Sequence, residues 1–298
     1  MYRATTRVDN AHSSDVWAVV WQGDTLLSAG LDGAVKCWQP PECKPSECVA
    51  STTQMRMGVT SVAISSDGST AVACTQNSLI KFFELPTMQE VGKIEPGLLE
   101  AWKVCLSPDD ACVAGGSQHG NVNIWSIQDK EKIATLRTGS DKFIMACEFN
   151  AEGTRIACCG MDGNVHVFDI HTGKVIHSVE AHALPARSIA FSGNLIYTAS
   201  DDKYVTVLDV NSGAVVNSFP HAGIALSVSP SPDQRHFVVG CSNHTVYLWD
   251  LGMQRYQQQF NSQHNDQVWG VSFNKSDPLG KQFVSAGEDG VLQLYEKS

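Results

Sequence analysis

Trp38, Phe83, Trp125, Phe168, Leu208, Trp249 and Tyr295 stand 40–46 residues apart, and a turn-forming residue lies six positions before each. Those turn residues are Asp32, Asn77, His119, Asp162, Asp202, Asn243 and Asp289. Two markers that keep one offset through seven units restrict the chain to a repeat architecture, in which stacked neighbours bury what one unit cannot. The unit from His12 to Trp38 is the best formed. Val16–Trp21 has the length of a strand, and the runs ending at Gly30 and Trp38 flank a tight Asp32-Gly33 turn. Seven such units predict an all-β, seven-bladed propeller forming a single domain over residues 1–298.

The last unit ends at Tyr295, three residues from the end of the sequence, without an outer strand of its own. The N-terminal run Tyr2–Val8 is expected to fill that place and close the ring, which removes two exposed sheet edges. A disordered tail is the alternative. Pro40 to Pro45 is too rich in proline for a strand and reads as a surface loop. Unit two, Val59–Phe83, is the most degenerate, and unit seven carries a longer hairpin loop around Ser276–Lys281.

Apolar residues make up 43% of the chain and charged residues 17%, as expected for a β-protein with a large core. A net charge of −10 opposes direct binding to a nucleic-acid backbone and suits basic peptide partners. Of ten cysteines, Cys74, Cys105, Cys147 and Cys158 fall in strand patterns, where a thiol acts as a small hydrophobe. Cys43 and Cys48 lack the second pair of a zinc site, so neither metal nor cofactor is expected. Without an apolar leader or a membrane-length run, a soluble, reduced, intracellular chain is expected.

The polar markers follow the WD-repeat pattern, in which a loop His, a strand Ser or Thr, a turn Asp and a strand Trp hydrogen-bond in sequence. Unit one alone has all four, as His12, Ser28, Asp32 and Trp38. Partial sets recur as His182, Thr198 and Asp202, and as His264, Ser285 and Asp289. A catalytic triad would not be copied around a ring, so these residues read as structural, not as a hydrolase site. Gly115 to Gly120 lacks the lysine of a phosphate loop, and Asp201 beside Asp202 reads as a solvated rim. No enzymatic activity is expected.

Aligned on the residue that closes the first strand of each unit, Trp17, Thr60, Trp102, Met145, Arg187, Leu226 and Trp269 occupy one position. Simple alternation places them at the strand's end, where they would ring the mouth of the channel. The competing reading packs the tryptophans between blades. Asp15, Glu100 and Asp266 lie within two residues of tryptophans, which predicts an acidic, aromatic mouth suited to an arginine or lysine.

The segments DVWAVVW, LEAWKVCLSPD, GNVNIW, DKFIMACEF, AHALPARSIAF, YTASDDKYVTVLDV and DQVWGVSFN resemble the WD-repeat subunit of the superkiller (Ski) complex. The resemblance covers Val8 to Tyr295, with units one and two departing most. It implies a non-catalytic, monomeric propeller that binds a tetratricopeptide scaffold subunit beside an RNA helicase and supports 3′–5′ mRNA decay by the exosome. It also implies a place in the polymerase-associated factor complex of animals, and so both cytoplasmic and nuclear locations. In the family the top face takes a Gln-Arg pair followed by a hydrophobic residue. The matching positions here are Trp17, Trp102, Met145, Arg187, Leu226 and Trp269. A histone-tail reader acting as a chromatin adaptor would use the same mouth and is the alternative. A cullin-ligase receptor would carry Arg two residues after Trp-Asp, where Trp249-Asp250 has Gly252.

Overall fold

The structure is a computed structural model that describes residues 1–40, 48–52, 55–253 and 255–298. The proline-rich stretch expected as a surface loop falls mainly outside them, as does Cys43. Among the described residues, 28 strands form seven four-stranded antiparallel sheets. Six sheets take their strands in chain order. The seventh places Tyr2–Val8 outside Leu292–Lys297, with Tyr2 opposite Lys297 and Val8 opposite Leu292. The ring is therefore closed by the N-terminal strand. Tyr2 anchors it, buried against Phe283 at 5.4 Å between ring centroids and edge-on to Phe273.

The core consists of seven apolar packets, one between each pair of neighbouring blades. Each repeated aromatic or apolar marker wedges between its own blade and the one before. Trp38 packs with blade 7, Trp125 with blade 2, Trp249 with blade 5 and Tyr295 with blade 6. This explains the period, because every blade needs one large residue at the same place to fill the gap left by the sheet twist. Burial raises the thiol of Cys74 to about 12 and that of Cys159 likewise, so these cysteines are inert packing groups.

The innermost strands begin at Val16, Val59, Val104, Ile144, Ala186, Ala225 and Val268 and surround a channel of about 460 Å³. Serine hydroxyls stitch them together. Ser61 Oγ accepts the Val104 N–H, Ser227 accepts Val271, Ser229 accepts Phe273 and Ser272 accepts Trp21, at 3.0–3.3 Å. The inner strands lie too far apart for a continuous backbone ladder. A short hydroxyl bridges the gap and satisfies a buried donor.

Candidate functional site: the tryptophan-capped mouth

Three polar networks hold the loops that build the mouth. In blade 1, His12 Nδ1 lies 3.0 Å from Asp32 Oδ1 and Nε2 lies 2.8 Å from Ser28 Oγ, to which Trp38 Nε1 donates at 2.9 Å. Blade 5 repeats the arrangement with His182, Asp202 and Thr198 at 2.9 and 2.8 Å. Blade 7 repeats it with His264, Asp289 and Ser285, and Tyr295 Oη at 3.1 Å supplies a fourth member. Blade 1 is thus not alone in having four, because a phenol can replace the indole. In each blade the carboxylate also receives backbone N–H groups beside the histidine, as Asp32 does from Ser13 and Ala34. Burial acts to raise the Asp32 carboxyl, but His12 and these donors outweigh it and hold it at about 2. The glycine before the turn leaves room for this. A Cβ on Gly30 would stand 2.8 Å from His12 Nδ1 and 2.9 Å from Asp32 Oδ1.

At the mouth itself, simple alternation does not hold. The inner strand slips register at Trp17, Thr60, Met145, Arg187, Leu226 and Trp269, so each lies in a β-bulge and has no partner in the ladder. In blade 3 the strand starts only at Val104, after Trp102. A bulge re-aims the side chain, and here it turns the ring residues toward the channel end. The Trp17 centroid lies 5.5 Å from Trp269 and 6.2 Å from Trp102, and Trp102 meets Phe143 edge-on at 5.6 Å. Trp17 of blade 1 thus stands between Trp102 of blade 3 and Trp269 of blade 7, and the cluster lies at the end of the channel. All three are half-buried.

Other members of the predicted ring take different places. Thr60 is 1% exposed and donates to the carbonyls of Cys74 and Trp102, so it supports the ring from behind. Leu226 and Met145 are buried, at 3% and 9% exposure. Arg187 is half-buried in a two-pronged ion pair with Asp201, whose Oδ2 accepts Nη2 at 2.8 Å. Asp201 is therefore not part of a solvated rim. Its charge is neutralised by Arg187, which the strand alignment places in the mouth ring.

The acids are also redistributed. The Glu100 carboxylate turns into blade 3, taking Asn123 Nδ2 at 2.8 Å and Lys132 Nζ at 3.1 Å. Asp266 accepts the N–H of Gln267, and Asp15 the hydroxyl of Ser14. The carboxylate that touches the tryptophans is Glu288, whose Oε2 lies 3.3 Å from Trp269 Nε1 and 2.9 Å from Gln267 Nε2. No cation pairs with Glu288 among the described residues. Trp17 Nε1, buried in the same cluster, has no acceptor among them.

Glu288 and Asp201 share one position, immediately before the turn residue of their blades. The backbone explains it: Leu31, Gln76, Met161, Asp201, Ser242 and Glu288 each donate their N–H to a carbonyl two residues before the ring. A second ring of side chains is thereby clamped beside the first. The offset from the turn marker was available in the sequence, but nothing there revealed the clamp.

Comparison with known proteins agrees with this geometry. The model for "WD domain, G-beta repeat" matches residues 4–39, 46–84, 213–250 and 255–296, more than half the chain. The chain belongs to the WD-repeat family. A second model, the anaphase-promoting complex subunit 4 WD40 domain, matches residues 104–192. Among curated relatives, the WD repeat-containing protein SL1-17 of Schistosoma mansoni is 29% identical over 306 residues, covering 99% of both chains. WD repeat-containing protein VIP3 of Arabidopsis thaliana is 32% identical over 205 residues, 62% of this chain and 63% of that protein. Meiotic recombination protein rec14 of Schizosaccharomyces pombe is 29% identical over 209 residues, 69% of each chain. This WD-repeat propeller is a homologue of these proteins.

Proposed function

We propose that this WD-repeat propeller is a non-catalytic adaptor that holds a partner segment by a cationic side chain at its tryptophan-capped mouth. The observation that carries the reading is the Trp17–Trp102–Trp269 cluster, with the Glu288 carboxylate beside it and the Trp17 indole N–H without an acceptor. A guanidinium stacked on these rings gains cation–π contact and a charge-assisted bond to Glu288. A carbonyl or amide oxygen next to it would satisfy Trp17. A Gln-Arg pair carries both groups. Two expected contacts change as a result: Glu288 takes the role given to Asp266, and Arg187 positions the mouth through Asp201.

The role proposed for this chain is that of the Ski-complex WD-repeat subunit. It docks a tetratricopeptide scaffold beside an RNA helicase, supporting exosome-mediated mRNA decay in the cytoplasm, and joins the polymerase-associated factor complex in the nucleus. Direct nucleic-acid binding is not part of this role. Similarity to SL1-17 along the whole chain, and to VIP3 and rec14 over most of it, supports the reading. Affinity purification of the tagged full chain from native lysate tests it. Co-purification of a tetratricopeptide scaffold that is lost in Trp102→Ala supports the assignment. Recovery of nucleosomes in its place, through the same mouth, would favour the histone-tail reading.

A further inference from the structure

On the face opposite the tryptophans, blades 3 and 4 are parted by a cleft of about 650 Å³. Its walls include Ile124, Leu136, Phe149 and Ile170, and Asp109 and Glu152 stand at its rim. The neighbouring clefts show why this one is open. Between blades 4 and 5, Arg155 reaches across to donate to the Val210 carbonyl and to Asn211 Oδ1, both at 3.0 Å. There His177 lies against Gly213, so close that a Cβ on the glycine would come 2.8 Å from Nδ1. Between blades 2 and 3, Lys130 extends over the Phe82 ring, its Nζ 3.9 Å from the centroid, and its stem covers Gly92.

The equivalent positions around the open cleft are all small. Cys112 stands where blade 4 has Arg155, since each faces the last residue of its blade's third strand across the ladder. Ala134 stands where blade 4 has His177, and Gly173 where blade 3 has Lys130. The fold thus fills the two flanking clefts with basic side chains and leaves the one between them without a filler. Ile170 and His171 occupy the places of Val210 and Asn211, which receive the Arg155 guanidinium next door.

We propose that the cleft between blades 3 and 4 takes a lysine or arginine side chain presented in trans by a partner protein. The apolar walls receive its methylene stem, as the Phe82 wall receives that of Lys130. The head meets Asp109 and Glu152, which have no ion-pair partner among the described residues. The chain's net charge of −10 favours the same sign of partner. The site lies on the opposite face from the mouth, so one propeller can hold two basic segments at once.

The test is calorimetric titration of the full chain, in reductant, with acetyl-Leu-Arg-Leu amide and with its citrulline counterpart. The arginine peptide should saturate and the neutral isostere should bind at least about tenfold more weakly, as expected for loss of a charge-assisted contact. Ala134→His and Cys112→Arg rebuild the fillers of the next cleft in cis and should weaken the arginine peptide by about tenfold or more. All of these titrations are made in the Trp102→Ala background, which removes the hold of the mouth on arginine and leaves the opposite face as the site that is read. If a filling variant fails to fold, Glu152→Gln, at an exposed site, should still weaken binding by about threefold. Absence of saturation, equal binding of the citrulline peptide, or full affinity in folded filling variants overturns the proposal. So would a chain dimer dispersed by Ala134→His, which would make the occupant a second copy.

Discussion

Replacing Asp32 by alanine should destabilise the fold without touching the mouth tryptophans. The carboxylate accepts from His12 Nδ1, from the N–H of Ser13 at 3.1 Å and from that of Ala34 at 3.1 Å. His12 is 2% exposed, so its ring N–H would be left without a partner where water does not reach. Leaving one buried donor unsatisfied costs about 1–3 kcal/mol, and the lost backbone bonds place the total toward the upper end. For a chain of this size that corresponds to a fall in melting temperature of about 3–5 °C. The pH dependence checks the mechanism. The Asp32 carboxyl sits at about 2 in the folded protein, below its ordinary value of 3.8. A depressed carboxyl stabilises the fold above its unfolded pKa, and that contribution fades as pH falls through 3.8 toward 2. The parent and Asp32→Ala should therefore differ fully at pH 7, by about half as much near pH 3, and converge only as pH falls through about 2, read by thermal or urea denaturation. A variant that melts within a degree of the parent at pH 7, or a gap independent of pH, would refute the network account of blade 1.

Two further perturbations probe the ring and its sixth blade. Tyr2→Ala removes the aromatic anchor of the closing strand and should cost about 3–5 kcal/mol in urea denaturation, whereas Arg3→Ala, on the exposed face of that strand, should cost under about 0.5 kcal/mol. Blade 6 depends on a neutral His221, whose Nε2 accepts the Trp249 indole N–H at 2.9 Å. Burial pulls the imidazole down to about 4 from 6.5, so the unfolded chain takes up a proton first as pH falls. Stability attributable to this group should decline between pH 6.5 and 4, and His221→Gln should lack that component in denaturation curves taken across the window.

Much of this was legible in the sequence, for identifiable reasons. The 40–46 residue spacing reflects one wedge residue per blade, a packing need that repeats with the fold, so Trp38 to Tyr295 revealed the architecture directly. The His12, Ser28, Asp32 and Trp38 set was readable because buried polar groups must pair, and few residue types meet at those offsets. Alternation failed at Trp17 and Trp269 because a β-bulge inserts one residue, which no period-two count contains. Proximity in sequence did not reveal which carboxylate reaches an indole. Glu100 stands two residues from Trp102 yet turns into blade 3, while Glu288, nineteen residues from Trp269, reaches its indole. The open cleft was invisible for another reason. Cys112, Ala134 and Gly173 are ordinary residues, and their meaning appears only beside Arg155, His177 and Lys130.

Calorimetric titration with a Gln-Arg-containing peptide tests most directly whether the mouth binds a cationic partner segment. Trp102→Ala should remain folded by circular dichroism and bind at least about thirty-fold more weakly, a loss of about 2 kcal/mol. Glu288→Gln keeps the hydrogen bonds to Trp269 and Gln267 within reach but removes the charge, and should weaken the peptide while flattening its salt dependence. Asp266→Asn should change affinity by less than about twofold, in keeping with weak exposed charges. Unchanged affinity in folded Trp102→Ala and Glu288→Gln variants would contradict the account and move the partner site away from the mouth.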